Sequence, residues 1–197
     1  MKISVFATTT SMLLGVIALL VGCGGSDSTS ADSSETPTGN AFDKAFIDAM
    51  VLHHESAIEM ARAAKKSGLS QPDLITVADA ILAGQQMEIE QMTDWRGDWF
   101  GSSEIDRDGA EALGLSDSEM GMSMEHGGAD ALMDSSDVDR DFAQMMITHH
   151  NGAIAMAKLA DGRAGHDEID GLADRIIETQ EREIDVMRKH AAGMNHG

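Results

Sequence analysis

Cys23 is the only cysteine among the 197 residues. No disulfide can form within the chain, and its stability has to come from packing. Tyrosine is absent, which removes a common radical or acid–base partner. Basic residues are scarce: 14 Lys and Arg stand against 34 Asp and Glu, a formal net charge of −20. Binding nucleic acid needs a basic footprint, so nucleic acid is excluded as a partner. An acidic surface instead attracts cations and keeps a protein soluble. Catalytic signatures are missing as well. The chain has no Glu-x-x-His of the kind that builds di-iron sites in bundles, no His-x-x-x-His zinc pair, no glycine-rich phosphate loop and no nucleophilic cysteine. The expectation is a protein that is not an enzyme.

No long hydrophobic run is present either. The longest, residues 12–21, is too short to span a bilayer. With Lys2 before it, it reads as the core of a signal peptide over residues 1–22. Leu20-Val21-Gly22-Cys23 resembles the bacterial lipobox, in which cleavage leaves the cysteine first and lipidated. Cys23 is thus the expected lipid-attachment site, and the protein is expected at the outer side of the cytoplasmic membrane, or in the periplasm or outer membrane of a Gram-negative cell. Residues 23–40, rich in Gly, Ser, Thr and Asp, read as a lipid-anchored flexible linker.

What the chain does have is a phrase that it says twice. Met50, His53, His54, Ala57, Ile58, Met60 and Ala61 match Met146, His149, His150, Ala153, Ile154, Met156 and Ala157 at an offset of 96 residues; upstream, Asp43 falls on Asp139 and Phe46 on Phe142. A second phrase follows at an offset of 95: Gln85, Glu88, Ile89 and Met92 match Gln180, Glu183, Ile184 and Met187. Apolar residues recur at helical spacing in all four stretches, and no alternating strand pattern appears. The prediction is an all-α, ferritin-like four-helix bundle of two repeated helical hairpins, residues 41–100 and 137–192. A long Met-rich crossover, residues 101–136, joins them, and 193–197 form a tail. Pro72 suits a first turn, Gly68 a helix end, and Ser136 or Asp137 an N-cap. Ser56 and Gly152, small residues in matching places, suit close approach.

Residues three, four and seven apart share a helix face. Met50, His53 and Met60 therefore line up, as do Gln85, Glu88 and Met92 on the next helix. Each hairpin offers imidazole, thioether and carboxylate groups to one small volume, and duplication supplies Met146, His149, His150, Met156, Glu183 and Met187 again. Thioether is soft and favours Cu(I), while imidazole suits copper in either oxidation state, zinc or nickel. Copper, Cu(I) or Cu(II), is the expected ligand, with zinc and iron also compatible. A secondary soft site is offered by Met120, Met122, Met124 and His126, and another by His190, Met194 and His196. Plainer readings stand beside these. The methionines also suit core filling. Glu88 and Glu183 suit hydrogen bonds to the histidines as well as ligation, and the cluster at 120–126 suits a simple loop. Metal held by imidazole is expected to leave on acidification toward pH 5, because ligation needs the neutral ring.

These paired motifs resemble the signature of the family called domain of unknown function 305, over about residues 41–192. The resemblance implies a ferritin-like helical bundle, frequently an exported bacterial lipoprotein, with a role in copper binding and copper tolerance. It points to His53, His54, His149 and His150 as metal-site residues, with methionines nearby. The function expected is extracytoplasmic copper binding for buffering, tolerance or hand-over, with a copper-handling protein or a second copy of the chain as partner. The rival readings are a ferritin-like metal-dependent oxidase and a structural or interaction bundle without metal.

Overall fold

The computed structural model describes residues 38–122 and 128–192. Cys23, Met124, His126, Met194 and His196 lie outside them, as do the expected signal segment and most of the linker. The described residues form six helices: α1 (Asn40–Ser67), α2 (Pro72–Phe100), α3 (Gly109–Ala112), α4 (Gly128–Met133), α5 (Val138–Lys158) and α6 (Asp167–Ala191). The long helices α1, α2, α5 and α6 make the all-α bundle, while α3 and α4 belong to the crossover and pack mainly on α1.

Local chemistry sets the ends of these helices. Pro72 opens α2, where its missing N–H costs nothing. Gly68 and Gly101 end α1 and α2 in the left-handed conformation, with φ of 104° and 78°. Asp137 caps α5 by accepting from the Arg140 backbone N–H.

The two hairpins are fastened to each other by a repeated device. Asp43, in the first turn of α1, accepts from the Gly165 N–H at 2.8 Å and from His166 Nδ1 at 2.6 Å, in the loop between α5 and α6. Asp139, in the first turn of α5, accepts from the Ser70 and Gln71 N–H groups at 2.8 and 3.1 Å, in the loop between α1 and α2. Each hairpin's first helix thus holds the other hairpin's loop, so α1 and α5 run antiparallel. A separate buried pair secures the start of the crossover. Arg96 Nε donates to Asp48 Oδ1 at 2.5 Å and its Nη1 to the Ser102 carbonyl at 2.6 Å, and the Asp106 N–H also reaches Asp48.

The apolar interior has two parts. One gathers Phe42, Phe46, Met50, Met92, Met156 and Leu172. The other gathers Met60, Leu74, Ile81, Phe142, Met146 and Met187. Along α1, α2 and α6 the change from one part to the other falls at a polar residue: His53 and His54 on α1, Gln85 on α2, Gln180 on α6; on α5, His149 and His150 lie between Met146 of the second part and Met156 of the first, with Ile154 still packed on the second. A polar layer therefore crosses the bundle at mid-height.

Candidate metal centre

The six side chains of this layer are all buried; the four histidines are 0–2% exposed. His53 and His149 meet across the α1–α5 contact, with ring centroids 3.7 Å apart and planes tilted by 38°. Their neighbours turn outward to the second helix of their own hairpin. His54 Nε2 donates to Glu88 Oε2 at 2.8 Å, and His150 Nε2 donates to Glu183 Oε2 at 2.7 Å. The hydrogen-bonding role of the two carboxylates is thus realised.

His53 Nε2 finds a different acceptor, the backbone carbonyl of Met120 at 2.9 Å. A carbonyl can only accept, so Nε2 carries the proton and Nδ1 the lone pair. Among the described residues, the ring nitrogens that remain have no hydrogen-bond partner: Nδ1 of His53, His54 and His150, and both nitrogens of His149. Oε1 of Gln85 and of Gln180 are in the same condition. A buried polar atom without a partner costs about 1–3 kcal/mol, so this layer is a concentrated expense in a small domain.

Burial, and then the neighbouring His54, lower the pKa of His53 to about 3. Burial likewise holds His149 well below the ordinary value, with His53 and His150 adding to the effect. Both rings are neutral at physiological pH, the form a metal requires.

The methionines fall differently. Met50, Met92, Met146, Met156 and Met187 are fully buried and Met60 nearly so, all within the apolar clusters on either side of the layer. No sulfur is hydrogen-bonded to an orphaned histidine nitrogen. Met120 is buried and Met122 half-buried against the first cluster, and it is the backbone of Met120, not its thioether, that reaches a histidine. His190 is engaged by Asp73 at 2.8 Å. Among the described residues, no three His, Cys, Asp or Glu side chains gather into a ready-made metal cage. The donors come instead as consecutive imidazole pairs backed by carboxylates. A metal-bound histidine almost always donates its other N–H to a carboxylate or carbonyl; His53, His54 and His150 have that outer partner and a bare inner nitrogen.

Sequence reasoning missed one contributor, the Met120 carbonyl, which has no residue signature. Gly152, matched with Ser56, reads in the sequence as a place of close approach, and what approaches is this carbonyl: a Cβ there would overlap it.

The chain is similar to several proteins of known structure. CopM in its Cu(I)-bound form is 32% identical, with 75% of this chain and 93% of CopM covered and a TM-score of 0.61. CopM in Cu(II)-bound, Ag-bound and apo forms matches as well. A DUF305 fragment from Deinococcus radiodurans is 26% identical, covering 79% of this chain and 98% of the fragment, TM-score 0.64. A DUF305 protein from Streptomyces coelicolor, 24% identical over 74% of this chain and 89% of its own, shares the fold with a TM-score of 0.66. No curated protein sequence matches the chain with significance. The family model described as Domain of unknown function (DUF305) matches in two overlapping stretches, residues 24–95 and 43–191, and the chain belongs to that family.

Proposed function

We propose that this protein binds copper in the polar layer of its bundle, as the monovalent ion, to buffer it or hand it on outside the cytoplasm. The observation that carries the reading is the set of buried imidazole nitrogens without partners, three of them on rings whose other nitrogen is already held. Monovalent copper suits the place for two reasons. The cost of burying an ion rises with the square of its charge, so a buried site favours one positive charge over two. Glu88 and Glu183 supply one negative charge to each half of the layer. Similarity to CopM, which has been solved in Cu(I)-bound, Cu(II)-bound and Ag-bound forms, supports copper as the metal. Copper is cargo here, and the protein performs no catalysis. Export and anchoring through a lipid on Cys23, as read from the lipobox, would place this cargo site where incoming copper is met.

The test is a Cu(I) competition titration against a chromophoric chelator, with a variant carrying Gln at His53, His54, His149 and His150. Far-UV circular dichroism checks that the variant remains helical. The reading expects copper uptake by the protein and its loss in the variant. Equal uptake by both would move the copper out of the bundle, and no uptake by either would leave a structural bundle.

A further inference from the structure

The two halves of the polar layer are related by the internal repeat, yet they are not equally furnished. His54 and His150 each have a glutamate on the second helix of their hairpin. Of the inner rings, His53 is held by the Met120 carbonyl, whereas its counterpart His149 has no partner at either nitrogen. The difference comes from the crossover, which among the described residues sets a backbone carbonyl on the ring of His53 and none on the ring of His149.

The turn at 116–122 is built to make that reach. The Met120 N–H donates to the Ser116 carbonyl at 3.0 Å, Gly121 to Ser118 at 3.1 Å, and Met122 to Asp117 at 2.8 Å. Glu119 accepts from both the N–H and the hydroxyl of Ser116. The Met120 side chain anchors the turn in the first apolar cluster. Gly121 adopts φ +67°, and a Cβ on it would stand 2.5 Å from the Thr148 carbonyl. On the facing helix, any side chain at 152 would occupy the place of the Met120 carbonyl. The first repeat has Ser56 at the matching position.

We infer that the turn at 116–122 is a positioning element for the copper site: through the Met120 carbonyl, admitted by Gly152, it fixes His53 as the Nε2–H tautomer with Nδ1 as the ligand atom, and so makes the His53–His54 pair bind copper more tightly than the His149–His150 pair. This rests on the copper reading above. An outer partner sets which histidine nitrogen is free for metal and holds the ring in place. His53–His54 has two such partners and His149–His150 has one.

The test compares the protein with Gly152→Ala, which pushes on the carbonyl without touching any donor atom, and with Gly121→Ala, which displaces the same turn from its own side. Long-range proton–nitrogen NMR on the 15N-histidine-labelled apo protein reads the tautomers, and Cu(I) competition reads affinity. The expected result is a fixed Nε2–H form for His53 and two unequal copper-binding phases. In both variants that tautomer signature is lost, and the tighter phase weakens by about 10–100-fold. The weaker phase stays in Gly152→Ala, which also shows that the bundle has kept its fold; in Gly121→Ala, whose Cβ would stand 3.0 Å from the His149 Cα, far-UV circular dichroism makes that check. An unchanged His53 tautomer with unchanged copper phases in both variants overturns the proposal. Two equal phases in the unmodified protein also overturn it, while leaving the copper reading intact. Failure of the copper reading is seen separately, as a curve that the four-histidine variant reproduces.

Discussion

At the scale of single residues, the centre turns on which atom of each imidazole is already engaged. Glu88 and Glu183 accept hydrogen bonds from the Nε2–H groups of His54 and His150. This leaves Nδ1 facing the interior and supplies a negative charge beside it. Replacing either carboxylate by Gln keeps a carbonyl acceptor in nearly the same place and removes the charge. Glu183→Gln is therefore expected to weaken copper binding in its own half by about 10–100-fold, with Glu88→Gln doing the same in the other. Competition titration with Cu(I) checks this, and identical curves for Glu183→Gln and the unmodified protein would assign the carboxylates a purely structural role. The histidine pairs were legible in the sequence because a rare dipeptide recurs at the same place in two copies. The glutamates were legible as interruptions of an apolar stripe, with two possible uses. The Met120 carbonyl was not legible, since a backbone acceptor is decided by where a turn lands and not by which residue carries it.

At the scale of elements, the four long helices follow from 3.6-residue periodicity and from punctuation such as Pro72, Gly68 and Asp137. Repetition then implied that two similar hairpins bury their apolar faces on each other. The fastening between them was only half visible. Asp43 and Asp139 aligned in the repeat, but nothing local says that each reaches a loop about 70 or 120 residues away. The path of the crossover was hidden for the same reason, because Asp48, Arg96 and the 102–106 backbone meet only once the bundle has formed. The two aspartates allow a comparative prediction. Asp43 is completely buried and Asp139 half-buried, so removing the Asp43 carboxylate also empties a space inside the fold, whereas the place of Asp139 is open to water. Asp139→Ala should lower stability by about 1 kcal/mol and Asp43→Ala by about 3 kcal/mol, the two ends of the cost of orphaning buried hydrogen-bonding groups. Urea unfolding followed by circular dichroism measures both. The reverse order would mean that loop fastening matters more at the Ser70 end than burial suggests.

At the scale of the whole molecule, folding stability and copper retention meet in the protonation of the layer. From the sequence, imidazole-held copper is expected to leave toward pH 5, since a free ring titrates near about 6.5. Burial changes the competition: His53 takes a proton only near pH 3, and His149 well below its ordinary value. Within the folded protein, protons displace metal from these two rings poorly at pH 5. The cost appears in folding. Below about pH 6.5 both rings are protonated in the unfolded chain and neutral in the folded one, so the unfolded state binds more protons. Stability must then fall as pH falls, by at most about 1.4 kcal/mol per pH unit for each ring. Between pH 6.5 and 5 most carboxylates stay ionised, so the self-repulsion implied by a net charge of −20 changes little. Only at lower pH does neutralisation of those acids begin to offset the loss. The copper-free protein should therefore unfold at a clearly lower urea concentration at pH 5 than at pH 7, and the gap should shrink in a His53→Gln/His149→Gln variant, which has no buried ring left to protonate at these positions. Equal midpoints at the two pH values in the unmodified protein would show that the inner histidines are not held neutral by burial, and copper should then dissociate near pH 6 without any loss of helix.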